Sequence, residues 1–250
     1  MTLKSHAHVY ETIGLQYATR RQPDARVASA IHATLGDANS ICNIGAGSGS
    51  YEPLDRDVTA VEPSKTMIAQ RTSAFPVVCA AAEDLPFRDN EFDAAMAILS
   101  VHHWESPQKG LAEMKRVSGR QVVFTFDPDL QDSLWLVRDY LPQIVDFENG
   151  RALPVDVIAE CLGADRIDPV AIPHDCTDGF QAAYWRRPEM YLRADVQATI
   201  STLAQLPEEL VSAAMRLLRA DLDSGVWADR YSDLLTQDSV DFGYRVIVAE

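Results

Sequence analysis

Ser40-Ile41-Cys42-Asn43-Ile44-Gly45-Ala46-Gly47-Ser48-Gly49 is the stretch on which the fold turns: a short apolar run that ends in a glycine-rich turn. Such a run reads as a buried strand delivering the chain into a bend. Further on, Val58 to Val61 forms a second apolar strand, closed by the acidic Glu62. Bare glycine amides let a ligand approach the turn, and a carboxylate ending the next strand can accept from both hydroxyls of a ribose. Strand, turn and acid in that order point to a nucleotide-like ligand. The third glycine of the dinucleotide pattern G-x-G-x-x-G falls on Ser50, and the motif starts about forty residues into the chain, which disfavours a nicotinamide dinucleotide.

Working outward, Pro23 to Gly36 reads as a helix with Asp24 as N-cap, inward Val27, Ala30, Ile31 and Leu35, and Gly36 as terminator. Pro63 and Ser64 open a helix carrying Met67 and Ile68, and Pro76 to Cys79 makes a third strand. Phe92 to Leu99 is the fourth strand, after which Ser106 as cap and Pro107 at the first position start a helix with Leu111, Met114 and Val117 inward. Gln121 to Phe126 is the fifth strand. Alternation of this kind describes βαβ units and a parallel sheet covered on both faces. After Asp127 the pattern changes: helical periodicity over Leu134 to Val145 and Val155 to Leu162, a strand near Ile167 to Ile172, helices over Asp195 to Leu206 and Pro207 to Leu222, and a closing strand over Phe242 to Ala249.

The chain has 250 residues, 47% of them apolar and 24% charged, an ordinary composition for a folded protein with a sizeable core. With 37 acidic against 22 basic residues its net charge is −15, which repels a phosphate backbone and argues against a nucleic-acid substrate. The longest apolar run, near Ala94 to Val101, is far short of the roughly 20 residues that span a bilayer. The N-terminus lacks the apolar stretch of a signal peptide, so a cytoplasmic location is expected. Cys42, Cys79, Cys161 and Cys176 are scattered, so neither a disulfide framework nor a zinc site is indicated. No feature bears on oligomeric state.

A second constellation, Ala82-Glu83-Asp84-Leu85-Pro86-Phe87 followed by Asp89-x-x-Phe92-Asp93, gives the chain a family likeness. It resembles the class I S-adenosylmethionine-dependent methyltransferases, and within them the small-molecule branch typified by the ubiquinone and menaquinone C-methyltransferases. The likeness covers about Tyr10 to Asp127, through Asn43 to Gly49, Val61-Glu62-Pro63-Ser64, the Ala-Glu-Asp-Leu-Pro-Phe run and Ser100-Val101-His102-His103-Trp104. It implies an α/β fold: a doubly wound, seven-stranded, mostly parallel sheet of Rossmann-like type with an inserted helical cap between the penultimate and final strands. A single domain over 1–250 is expected, with an N-terminal lid and helix over 1–36, a cofactor-binding core over 37–127, helices, a late strand and an acceptor cap over 128–240, and the final strand over 241–250.

The resemblance further implies S-adenosyl-L-methionine as cofactor and a small-molecule methyl acceptor as partner. Gly45, Ala46 and Gly47 would flank the amino-acid end of the cofactor, Glu62 and Pro63 would meet the ribose, and Met67 and Leu85 would enclose the adenine. Ala82, Glu83 and Asp84 would meet the adenine's polar edge, and Leu99 would lie at the end of the fourth strand beside the cofactor. Many relatives carry Asp two residues before Glu83, where this chain has Ala81, so the adenine amino group falls to Glu83, Asp84 or water. Tyr10, Tyr17, Arg20 and Arg21 belong to a segment that in this family folds over the cofactor, where an arginine can pair with the methionine carboxylate.

His102 and His103 sit just past the fourth strand, where ligands gather at the carboxyl ends of a parallel sheet. They are the candidate catalytic residues, as a base or as walls that align the reactants. Transfer from a sulfonium is an in-line displacement with a reactive donor, so alignment and exclusion of water can supply much of the acceleration. The stretch Phe180, Tyr184, Trp185, Arg186, Arg187 and Tyr191 reads as packing against the added helices in preference to an acceptor wall. Two other functions compete: a noncatalytic S-adenosylmethionine-binding protein or repurposed scaffold, and a nicotinamide-dependent oxidoreductase.

Overall fold

The structure, a computed structural model, describes residues 21–250. Tyr10, Tyr17 and Arg20 therefore lie outside the described residues. The first described helix, α1 (Ala25–Ala33), begins where the sequence places it: the Asp24 carboxylate accepts from the Arg26 N–H. Asp24 also takes the Thr177 N–H at 3.1 Å, so one buried cap fastens the helix to a loop from the far half of the chain.

The strands β1 (Ser40–Ile44), β2 (Asp57–Val61), β3 (Val77–Val78), β4 (Phe92–Ile98), β5 (Ser118–Phe126), β6 (Arg166–Pro169) and, last in the chain, β9 (Tyr244–Ala249) form one sheet in the order β3-β2-β1-β4-β5-β9-β6. β1 to β5 pair in parallel, and β9 runs antiparallel to both β5 and β6. The pleat sends alternate residues to opposite cores. Ala94 and Met96 of β4 join Val27 and Ile31 of α1 on one face. Ala95 and Ala97 face the other side, with Leu111, Met114 and Val117 of α3 (Pro107–Val117) and Ile158 and Leu162 of α5 (Val155–Leu162). Between β1 and β3 lies the short α2 (Lys65–Ala69), capped by Ser64, whose hydroxyl accepts from the Met67 N–H. The chain builds outward from β1 through β2 and β3, then returns to lay β4 on the other side of β1. That reversal opens a crevice at the carboxyl ends of β1 and β4.

At several places the chain departs from the pattern its sequence suggests. Ser106 precedes α3, but its hydroxyl makes no capping bond; its own N–H donates to Glu83. The helix expected over Leu134 to Val145 is a wide turn over Leu136–Tyr140 followed by α4 (Gln143–Asn149), because Pro142 forces Leu141 out of helical geometry. The single strand expected near Ile167 to Ile172 divides after Pro169, which brings no N–H to the ladder. β6 stays in the main sheet, while β7 (Ile172–Pro173) pairs with β8 (Ser239–Val240) in a separate two-stranded sheet. The helix over Asp195 to Leu206 is α6 (Ala194–Gln197) and α7 (Ser201–Gln205), interrupted where the Thr199 hydroxyl bonds back to the Val196 carbonyl and Ile200 is extended. The long α8 (Glu208–Ser224) follows, ended by Gly225 in the left-handed region. The segment between β6 and β9 is thus the inserted cap.

Candidate active site

Gly45 and Gly47 have φ of +70° and +53°, conformations that favour glycine. A side chain at Gly45 would also have no room: its Cβ would lie 2.6 Å from the Cβ of Ser100. Ser100, directly after Leu99, is buried, and its hydroxyl donates to the Ile44 carbonyl, so the end of β4 is pinned against the turn. Glu62 is 7% exposed and its two oxygens accept from the Gly47 and Ser64 N–H groups, both at 2.8 Å. Burial raises its pKa above the ordinary carboxylate value, against the lowering effect of those two bonds. Each oxygen keeps a second lone pair. Pro63 is exposed beside it, Met67 is buried, and a Cβ at Gly47 would come within 3.3 Å of the Met67 methyl.

The turn rests on a support that motif reading missed. Asn43 donates to Glu52, and Glu52 holds Arg71 through two bonds of 2.7 and 2.9 Å. Arg71 in turn donates to the Gly47 carbonyl at 3.3 Å. The Glu52 and Arg71 side chains are 1% and 3% exposed. Arg71 lies 24 residues beyond Gly47 in the chain, so no local pattern marks the pair.

The acidic motif forms a second wall. Ala82 and Leu85 are buried, Glu83 is half-buried and Asp84 is exposed. Glu83 Oε1 is engaged by the Ser106 N–H at 2.9 Å. The loop is clamped by α3: Glu113 accepts from the Leu85 N–H, and Arg116 donates to the Leu85 and Phe87 carbonyls. Trp104 crosses from this wall toward the turn, since a Cβ on Gly110 would meet its ring at 2.4 Å and one on Gly45 would lie 3.3 Å from its Nε1. Among the described residues, the buried Trp104 Nε1 and Asn43 Oδ1 have no hydrogen-bond partner.

Next to the turn a cavity opens between sheet and cap. Leu99, His102, His103 and Phe126 line it from the carboxyl ends of β4 and β5; Tyr244 lines it from the start of β9. The cap supplies Phe180, Gln181, Ile200, Ser201 and Thr202. The His102 ring lies 3.9 Å from that of His103 and 5.0 Å from that of Phe126, centroid to centroid. Of the aromatic stretch, Phe180 reaches this cavity, while Trp185 and Tyr191 are fully buried in the cap core, as the packing reading holds.

Arg21 also lines the cavity, and its guanidinium pairs at 2.6 Å with Asp178, a fully buried cap residue. The same carboxylate accepts from the Tyr51 hydroxyl at 2.8 Å, and Tyr51 sits just beyond the glycine turn with φ of +64°. One acid therefore joins the cap, Arg21 and the residue just beyond the glycine turn. It was not legible because Asp178 is 127 residues from Tyr51 in the chain.

Behind the cavity, Glu148 of α4 is 4% exposed, and burial raises its pKa, partly offset by the Thr202 bond and the charge of Arg151. In acid, below the carboxyl's ordinary value, folded and unfolded chains are both neutral at this position and no penalty arises. As the pH rises through the elevated folded pKa, ionisation costs folding stability. Glu148→Gln is therefore expected to gain melting temperature relative to the parent protein as the pH is taken from 4 to 7; a gap that closes over that range would contradict this.

A doubly wound sheet with a glycine turn, an acid at the end of the next strand and a roofed cavity at its switch point defines a nucleotide-cofactor enzyme class. A family model for a methyltransferase domain matches residues 42–125. A solved structure described as a candidate methyltransferase from an antibiotic biosynthesis pathway in Anabaena variabilis is 35% identical, with a TM-score of 0.85 over 92% of this chain and 99% of that one. The chain belongs to the S-adenosylmethionine-dependent methyltransferases, and S-adenosylmethionine is the cofactor of that family. The oxidoreductase alternative falls with this result. The tRNA (carboxymethyluridine(34)-5-O)-methyltransferase of Xenopus tropicalis is 25% identical over 113 residues, 44% of this chain and 18% of that protein. The chain spans less than half the length of the curated relatives it matches. The (4+2)-cyclase SpnF shares the fold, with a TM-score of 0.56 at 15% identity over 100% of this chain and 97% of that one. The described residues contain no helix long and apolar enough to cross a membrane.

Proposed function

We propose that this protein transfers the methyl group of S-adenosylmethionine to a small-molecule acceptor seated between the sheet and the cap. The observation that carries the reading is the roofed cavity: Leu99 lines it, and the next residue, Ser100, touches the glycine turn, so an acceptor there would lie near the cofactor's amino-acid end. The turn fits the cofactor's amino-acid end. Gly45, Ala46 and Gly47 leave it uncovered, and the unpartnered Trp104 N–H and Asn43 oxygen suit a carboxylate and an ammonium. Glu62 would hold the ribose hydroxyls through its remaining lone pairs, and Met67, Ala82 and Leu85 would enclose the adenine. The Ser106 N–H occupies only Oε1 of Glu83, so the adenine amino group would still be met by Glu83 through Oε2, by Asp84 or by water. Arg21, paired with Asp178, is better placed to shape the acceptor cavity than to meet the methionine carboxylate. When bound, the cofactor supplies an electrophilic methyl; these residues orient the acceptor, and the cap excludes water. The aromatic walls and the net charge of −15 favour a small molecule over RNA, despite the tRNA-modifying relative.

Calorimetry with S-adenosylhomocysteine is expected to show one site of micromolar affinity and a raised melting temperature; absence of binding would refute the reading. Binding with no turnover of any acceptor would instead favour a noncatalytic or repurposed scaffold, a course this fold permits. For His102 and His103 we expect alignment to outweigh proton abstraction. With a known acceptor, single turnovers of His102→Ala and His103→Ala should each slow by less than about tenfold, below the roughly 100- to 10,000-fold of a positioned base. A several-hundredfold loss in one variant, with a near-neutral pKa vanishing from its rate profile, would identify that histidine as the base.

A further inference from the structure

Thr202 lines the acceptor cavity from α7, and its hydroxyl donates to Glu148 Oε1 at 2.8 Å. Both residues are buried, at 5% and 4% exposed. Glu148 Oε2 has no partner among the described residues. As a purely structural device this is a poor one: a buried carboxylate with an unmet oxygen costs stability, and apolar residues would fill the same space better. Its definite chemical effect is on Thr202. A hydroxyl has one hydrogen, and here it is given to Glu148, whose Oε1 can accept in either protonation state. Thr202 Oγ1 is left with lone pairs alone to offer the cavity. Arg151, whose charge Glu148 senses, donates to Gln205 at 3.0 Å and does not take this place.

We infer that the Glu148–Thr202 pair sets the polarity of the acceptor site, so that the molecule seated there carries an N–H or O–H donor, such as an aromatic amine or a phenol, held by Thr202 Oγ1. The remaining walls suit a flat ring, with Phe126, Phe180 and Tyr244 around it. Thr202 is the group that touches the acceptor and Glu148 is a positioning residue acting through it. This rests on the methyl-transfer reading above.

Phenol and its methyl ether, anisole, separate the possibilities. With the protein saturated with S-adenosylhomocysteine, ligand-observed NMR is expected to show phenol binding about fivefold tighter than anisole, the scale of one net hydrogen bond. Thr202→Val keeps the shape without the hydroxyl and should bring the two affinities together. Glu148→Leu frees the Thr202 hydrogen and should shift the preference toward anisole, whose ether oxygen only accepts. A packing role alone would weaken both probes and leave their ratio unchanged. Equal affinities in the parent protein, no binding of either probe, or a ratio unmoved by Thr202→Val would overturn the inference while leaving the cofactor site intact. Failure of S-adenosylhomocysteine itself to bind would instead overturn the methyl-transfer reading.

Discussion

Glu52→Ala is expected to destabilise the protein by about 3–5 kcal/mol, the cost of stranding a buried cation. Arg71 would lose both bonds to its carboxylate, at 3% exposure and with no access to bulk water. The damage should reach the cofactor site, because Arg71 also holds the Gly47 carbonyl and Asn43 would lose its acceptor. Urea denaturation measures the first effect and titration with S-adenosylhomocysteine the second. The double replacement Glu52→Leu with Arg71→Met separates them, since an apolar pair of similar volume can restore stability. It is expected to recover most of the folding free energy and little of the cofactor affinity. A single variant within about 1 kcal/mol of the parent would show that the pair is not the support of the turn, given the penalty for an uncompensated buried charge.

Glu62→Ala should weaken S-adenosylhomocysteine binding by about 1.5–3 kcal/mol, the range for hydrogen bonds to a charged group. That is roughly a tenfold to hundredfold rise in dissociation constant. The fold should survive, because the acid sits at the rim of the turn and its removal uncovers two N–H groups that the crevice can hydrate. Burial raises the Glu62 pKa, and ribose hydroxyls would donate to its ionised form. Affinity in the parent protein is accordingly expected to fall as the pH drops through that raised value, and the alanine variant should lose this dependence. A folded variant with unchanged affinity would mean that the ribose lies elsewhere.

The two predictions differ in how their residues could be found. The position of Glu62 was visible from the sequence because it follows from local order alone: an acid ends the strand after a glycine turn, and parallel pairing of Asn43 with Ala60 and Ile44 with Val61 puts that strand end beside the turn. His102 and His103 were placed for the same reason, in the short turn that follows another parallel strand. Glu52 and Arg71 carry no such mark. Neither do Asp178 and Glu148, whose partners lie 127 and 54 residues away in the chain. Charged residues in a sequence read as surface until tertiary contacts show what they meet.

By itself the sequence determined the sheet core, the glycine turn with its acid, the Asp24 cap and the helices over Pro107–Val117 and Val155–Leu162, because hydrophobic period, caps and breakers are set by residues within a few positions of one another. Only the tertiary structure decided the cap. Pro142, Pro169 and Thr199 each broke an apolar pattern that continued across them, and pattern does not tell where the chain goes after a break. It also decided the cavity between sheet and cap, whose walls come from the ends of β4 and β5, the start of β9, the cap, Arg21 and Gln131. Such a site has no local signature: its chemistry arises from side chains brought together by long-range packing, and its polarity from one hydrogen that Thr202 gives to a carboxylate 54 residues away.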